Sequence, residues 1–493
     1  MILDFARRRA EIAPDRIAFI EAAGGRTVTS RAFDDRAERA AHLLRDLGVG
    51  RGDRIALLML NEVAFFEILV ASARLGALVI PLNWRLTADE LRPILTDGAP
   101  RLLVHDDANA GMAGNLPVPR LSLADYEARI AAAPSPARLG NGAWIPEDIW
   151  YLLYTSGTTG RPKAVIQTFG MAEANAVNLG QAIDLGGDDR TLNFLPLFHT
   201  AGINLHTLPA LISGGIVTIF PKFDADQVMA AIDDGSVTCF FGVPAVYQAL
   251  ALHPRFAETD LGRVRSWTCG GAPLPEPLLR AFLGRGARVC AGYGMTETGP
   301  TLCLMDPAGV EARVGSSGKA QSLSRVRIVD GDGRDADPGR PGEVLVKGAN
   351  VTPGYWNNPE ATRAAFTADG WLKTGDVGRM DEDGYVTIVD RIKDMFISGG
   401  ENVYPAEVER ALLAHPEVLE AAVIGVADER WGEVGRAFVV PRADARPEPE
   451  RLRAFCRDRI AGYKVPKTIL VVTDLPRTAA GKVQKHVRRA RAD

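Results

Sequence analysis

The sequence predicts an α/β protein with mostly parallel sheets covered by helices, a β-rich subdomain, and a small α+β domain at the C-terminal end. Three observations carry this. Short apolar runs alternate with amphipathic helical stretches up to about residue 309, the pattern of strands buried on both faces. From about 311 to 390 the texture turns β-rich, with tight-turn signals at Gly331-Asp-Gly333, Pro338-Gly-Arg-Pro-Gly342 and Asp381-Glu-Asp-Gly384. Near Arg391 it changes again, into alternating helices and strands over the last 100 or so residues, an ordinary domain size. The division falls at 1–392 and 393–493.

The elements follow in order. Ser30 is placed as the cap of a helix whose Phe33, Ala37, Ala40, Ala41 and Leu44 share one face, with Gly48 closing it. Residues 55–60 read as a strand, 62–75 as a helix stopped by Gly76, and 78–81 as a strand. Thr87-x-x-Glu90 is a capping box that opens the next helix. Further strands fall at 150–154, 217–220, 238–241 and 265–269, and then at 343–346 and 385–389. In the small domain 405–414 and 450–460 read as helices, and 420–426, 437–440 and 468–472 as strands. Residues 191–221 hold no charged side chain, but Pro196, Pro209, Gly214 and Gly215 would break a single membrane span. That run reads as strand, turn, buried helix and strand.

The 493 residues carry 57 Lys+Arg against 61 Asp+Glu, a formal charge of −4, which lacks the basic surplus of a nucleic-acid binder. An apolar fraction of 46% suits a globular chain and excludes a disordered one. The cysteines Cys239, Cys269, Cys290, Cys303 and Cys456 form no Cys-x-x-Cys pair and no disulfide framework. Asp4 and three arginines interrupt the apolar residues of the first nine positions, and the chain ends on Arg-Ala-Asp. A cytoplasmic location is therefore expected.

The sharpest local signal is Tyr154-Thr-Ser-Gly-Thr-Thr-Gly-Arg-Pro-Lys163. It follows a strand and offers hydroxyls, close backbone N–H groups at Gly157 and Gly160, and a positive charge at Lys163. That combination suits a polyphosphate. It does not fit the Walker A spacing.

This segment resembles the phosphate loop of the adenylate-forming superfamily: acyl- and aryl-CoA ligases, peptide-synthetase adenylation domains and luciferases. Other motifs of that superfamily appear in order: Phe194-Leu-Pro-Leu-Phe-His-Thr-Ala-Gly202, Gly292-Tyr-Gly-Met-Thr-Glu297, Thr374-Gly-Asp376 and Asp390-Arg-Ile-Lys-Asp394. They continue with Ile397-Ser-Gly-Gly-Glu-Asn-Val-Tyr-Pro-Ala-Glu-Val-Glu409 and Pro476-Arg-Thr-Ala-Ala-Gly-Lys482. The resemblance spans nearly the whole chain. It implies an AMP-forming acyl-CoA synthetase, in which acid and ATP give acyl-AMP and pyrophosphate, and coenzyme A (CoA) then gives acyl-CoA and AMP.

By the same resemblance Thr155, Ser156, Gly157, Thr158, Thr159, Gly160 and Lys163 hold the ATP phosphates, with Gly271, Ala272, Tyr293, Asp376 and Arg391 around the nucleoside. Glu297 and Thr158 would hold Mg2+, a hard cation that takes oxygen ligands. Lys482, Thr296, Glu297 and His199 form the catalytic set, Lys482 offsetting charge as two anions meet. The acyl pocket is assigned to His199, Phe241, Gly242, Cys269, Gly270, Gly292, Gly294, Met295, Gly299 and Pro300. No arginine stands out there for a second carboxylate. His199 follows Phe198 where amino-acid-activating relatives carry an aspartate, so the acid lacks an α-amino group and is fatty or aromatic. Lys393 takes the hinge position of a small domain that rotates between the two steps. CoA would meet Gly399, Gly400, Trp431, Tyr463 and Lys464, with Arg85 as a further phosphate contact because Val465 replaces an arginine of one relative. Lys485, Arg488, Arg489 and Arg491 read as a solvated basic tail. The remaining partners are small molecules only, with neither nucleic acid nor a transmembrane segment, and a homodimer is one assembly the resemblance allows. Two other readings stay open: a stand-alone enzyme loading a carrier-protein thiol, and a non-catalytic nucleotide sensor.

Overall fold

The computed structural model describes residues 1–134, 137–139, 142–155, 162–477 and 483–485. Its first sheet runs, in spatial order, through Lys163–Thr168, Ile149–Thr155, Leu78–Pro81, Arg54–Leu58, Leu102–His105 and Arg120–Ser122. The first pair is antiparallel and the others are parallel. Between its strands lies the helix Val63–Leu75, buried along almost its whole length. An all-round apolar helix has to be sandwiched, and here the indole of Trp150 on the sheet donates to the Leu69 carbonyl at 2.8 Å. Gly76 ends the helix in the left-handed region at φ 68°, a conformation that costs glycine nothing.

The helix at Ser30–Asp46 buries Phe33, Ala37, Ala40, Ala41 and Leu44 as its spacing requires. Its cap is Thr29 rather than Ser30. Thr29 has an extended backbone and accepts from the Ala32 N–H, whereas Ser30 is already helical and its side chain turns to the Arg16 carbonyl. The Thr87–Glu90 capping box forms with both of its bonds. Residues 191–221 fold as the strand Arg190–Asn193, a π-turn at Ala201–Leu205, the helix Thr207–Ser213 and the strand Ile216–Ile219. Among the described residues no helix is long and apolar enough to cross a membrane.

The second sheet is built around parallel strands. Val289–Tyr293, Ser266–Cys269, Cys239–Gly242, Arg190–Asn193, Ile216–Ile219 and Ile17–Glu21 lie side by side, with short antiparallel strands at both edges. A four-stranded antiparallel sheet follows, from Ser324–Val329 to Val386–Arg391. The last sheet centres on the long antiparallel pair Val418–Asp428 and Gly432–Pro441, covered by the helices Pro405–Leu413 and Pro449–Arg457. Lys485 does not sit in a solvated tail. It forms a 2.8 Å ion pair with Glu409, both side chains largely buried.

Candidate active site

In parallel sheets, clefts form beyond the carboxyl ends of strands. Here the ends of three adjacent parallel strands, Cys239–Gly242, Ser266–Cys269 and Val289–Tyr293, border a cavity of about 310 Å³. Phe241, Cys269, Gly270, Gly292, Gly294, Met295, Pro300 and His199, all assigned from the sequence to the acyl pocket, line this one cavity. Gly242 and Gly299 do not. The first faces Val246, Phe240 and Tyr247 behind the wall, and the second faces the Asn350 carbonyl and Met171. Gly294 is obligatory, because a Cβ there would stand 1.7 Å from the Pro300 carbonyl oxygen. A cationic side chain does border the cavity. Arg85 lies on its lining with its guanidinium 4.5 Å from the Trp84 ring and 5.8 Å from that of Phe198, and Lys222 lines it as well. That corrects the expectation of a pocket without an arginine.

Beside this cavity two carboxylates are each held by a tyrosine. Tyr293 donates to Asp376 Oδ2 at 2.6 Å, and the Arg391 guanidinium stands 3.1 Å from Oδ1. Tyr355 donates to Glu297 Oε1 at 3.0 Å. Burial, reinforced by the facing carboxylates, pushes both phenols above their ordinary range, so they remain donors. Glu297 and Asp376 are only 8% and 3% exposed, which fixes their positions before any ligand arrives. Lys163, the first residue of the strand Lys163–Thr168, places its ammonium 5.3 Å from the Tyr355 ring. The same strand is tied to the Glu297 turn, since Gln167 donates to the Thr296 carbonyl at 2.9 Å. Thr155 reaches the Lys163 carbonyl at 3.4 Å across this hairpin. Gly271 takes φ +81° just before Ala272, bringing backbone close to the cavity.

Ser156, Gly157, Thr158, Thr159, Gly160 and Lys482 lie outside the described residues. On the small domain Gly399 and Gly400 both have positive φ, and a Cβ on Gly399 would meet the Trp431 ring at 2.8 Å. Trp431 and Tyr463 are 45% and 41% exposed. Lys464 is already paired with Glu407 at 2.8 Å. Lys393 follows Arg391, the last residue of the four-stranded sheet.

The reading of the sequence missed a number of cavity residues, among them Trp84, Lys222, His206 and Thr268. His206 is fully buried, and burial lowers it to about 4, so it is neutral at pH 7. No spacing signal links these positions. They meet only because the sheet order brings separate strands together.

The family description "AMP-binding enzyme" matches residues 6–356, and "AMP-binding enzyme C-terminal domain" matches 407–482. The chain belongs to the AMP-binding enzyme family. Within that adenylate-forming superfamily it falls in the acyl-CoA synthetase branch, whose members are acid–thiol ligases using ATP and CoA. It is 43% identical over 478 residues to a feruloyl-CoA synthase from Amycolatopsis sp., covering 97% of this chain and 96% of the relative. Identity to an indoleacetate–CoA ligase from Aromatoleum aromaticum is 40%, covering 91% and 90% of the two chains. The fold superposes with a TM-score of 0.91 on o-succinylbenzoate CoA synthetase from Bacillus subtilis bound to its acyl-adenylate, at 33% identity over 100% and 98% of the chains.

Proposed function

We propose that this acid–thiol ligase activates an aromatic carboxylic acid. The observation that carries the reading is the largely apolar cavity bordered by Gly292–Thr296, the motif that leads into Glu297. The acid's carboxylate would enter from the nucleotide side and its ring would lie among Phe241, Cys269 and the strand-end glycines. The names of two of the curated relatives, feruloyl and indoleacetate, at 43% and 40% identity, favour an aryl acid over an alkyl chain.

Because the substrate carboxylate is itself the nucleophile, no protein nucleophile is required. Its oxygen forms the bond to the α-phosphorus as the bond to pyrophosphate breaks. In the second step the CoA sulfur bonds to the acyl carbon and AMP leaves. Catalysis then rests on positioning and charge. Asp376 accepts from the ribose hydroxyls, supported by Arg391, and the Tyr293 ring presents a flat face to adenine. Thr296 and Lys163 contact phosphate, and His199 borders the reacting carboxyl group. Lys482 neutralises the approaching anions.

Mg2+ fits the site. Glu297 offers a hard carboxylate oxygen, and among the described residues no cluster of three His, Cys, Asp or Glu forms a protein-only cage. Magnesium is commonly held by one or two carboxylates plus substrate phosphates. When bound with Thr158 and Glu297 it would neutralise phosphate charge.

Lys393 is the hinge between residues 1–392 and 393–493, and rotation about it exchanges Lys482 for a thiol channel lined by Gly399 and Gly400. The exposed faces of Trp431 and Tyr463 suit the CoA nucleotide. Lys464 pairs with Glu407, and Arg85, stacked on Trp84 in the cavity lining, is a second candidate cation for CoA.

The test is AMP release with Mg-ATP against benzoates, cinnamates and fatty acids from short to long chain, each with and without CoA. CoA-dependent turnover of aryl acids is the expected result. Turnover confined to fatty acids would overturn the aryl assignment. Adenylate that CoA does not relieve would point to a carrier-protein thiol, and binding of ATP without turnover of any acid to a nucleotide sensor.

A further inference from the structure

The lining of the acyl cavity is largely apolar, and one of its buried polar places is a linked histidine–threonine pair. His206 and Thr268 both line the cavity, at 4% and 2% exposure. Thr191 Oγ1 lies 3.3 Å from His206 Nδ1, and His206 Nε2 lies 3.2 Å from Thr268 Oγ1. The Thr268 hydroxyl in turn donates to the Phe240 carbonyl at 3.0 Å. Phe241, whose ring centroid is 5.9 Å from that of His206, closes the same wall.

The hydrogens in this chain can be counted. A threonine hydroxyl carries one hydrogen and two acceptor lone pairs. With Thr268 donating to Phe240, its oxygen accepts from His206 Nε2–H, while His206 Nδ1 accepts from Thr191. In the other imidazole tautomer, Thr268 donates to Nε2 instead and Thr191 accepts from Nδ1–H. Either way the single hydrogen of Thr268 is committed inside the protein, and at least one lone pair of Oγ1 remains. Burial keeps His206 neutral, so no third arrangement enters at physiological pH. The cavity wall therefore has acceptor capacity at this point and no donor to offer.

We propose that Thr268, oriented by His206, is a specificity residue that accepts a hydrogen bond from a hydroxyl on the aromatic ring of the acid. The ligand class is a hydroxyaryl acid. An aryl acid carrying only an acceptor there, such as a methoxy group, meets a lone pair where it needs a donor. One carrying a methyl group leaves a buried oxygen lone pair unused, a smaller loss than burying a hydroxyl without a partner. This inference rests on the aryl reading above.

The experiment compares kcat/KM for trans-4-hydroxycinnamate, trans-4-methylcinnamate and trans-4-methoxycinnamate in the wild-type enzyme, in Thr268→Val and in Thr268→Ser. The wild type is expected to favour the hydroxy acid over the methyl acid by about 10-fold, the scale on which one neutral hydrogen bond discriminates. Valine keeps the shape and removes the acceptor, so the ratio should fall by 10-fold or more, roughly the penalty of a stranded buried donor. Serine keeps the oxygen and should retain the preference. A wild-type enzyme that treats the hydroxy and methyl acids alike overturns the inference without any variant, as does a Thr268→Val ratio equal to that of the wild type. No thioester formation with any aryl acid would instead remove the functional reading, and this inference with it.

Discussion

Tyr293 and Tyr355 perform the same task at the two carboxylates of the site, each a protonated phenol donating to an acid that burial has already immobilised. Removing the Tyr293 hydroxyl leaves Asp376 its Arg391 partner but frees one oxygen. Tyr293→Phe is expected to raise KM for ATP roughly 3- to 10-fold, the worth of one hydrogen bond, with a smaller change in kcat. An ATP titration at saturating acid reads this directly. Gly294 has no such tolerance. Gly294→Ala would drive the Pro300 backbone away, and a shift of that size in a positioned site costs about 100-fold in turnover. His206 makes the stability pH-dependent. Its folded value near 4 lies below the ordinary histidine value of 6.5, so the unfolded chain binds the proton more readily. Stability is intact above about 6.5 and falls as pH drops towards 4, by up to about 3 kcal/mol from this group. Chemical denaturation at pH 7 and pH 5 should show a smaller loss for His206→Gln than for the wild type. An equal loss in both would mean the imidazole is not held neutral.

Among the elements, the small domain depends on one buried pair. Glu409 lies on the helix Pro405–Leu413 and also accepts from the Val423 N–H on the strand it packs against, while Lys485 supplies the opposite charge. Lys485→Met would strand Glu409, and breaking such a pair costs about 3 kcal/mol or more. The expected result is a lower melting temperature, with Glu409→Gln added to Lys485→Met recovering part of the loss. The sequence could not reveal this pair, because a run of basic residues looks solvated until the fold buries one of them. The helices and central strands, by contrast, were legible to within a few residues. Their periodicity, the Thr87 capping box and the stop at Gly76 are local signals. Edge strands such as Cys303–Leu304 and Lys319–Ala320 were not, since two residues carry no period. At the site, motifs whose chemistry is local stood out, while Trp84, Lys222, His206 and Thr268 come from separate segments that only the sheet order assembles.

At the scale of the whole molecule, the proposed mechanism has two reactions share one site, with the small domain repositioned between them. The four-stranded sheet ends at Arg391 and the next strand starts at Phe396, so the four residues between, Lys393 among them, are where the backbone can absorb a rotation. Lys393→Pro fixes φ and is expected to spare pyrophosphate release in a single turnover while slowing thioester formation about 100-fold; the opposite pattern would place the hinge elsewhere. Lys482→Ala should do the reverse, lowering adenylation about 100- to 1,000-fold with ATP binding largely retained. The most direct test of the account is the product stoichiometry of the wild-type enzyme given Mg-ATP, CoA and 4-hydroxycinnamate. Equal amounts of AMP, pyrophosphate and aryl-CoA are predicted, with none of the three formed when the acid is omitted. ADP and inorganic phosphate in place of AMP and pyrophosphate, or AMP accumulating without any thioester, would contradict it.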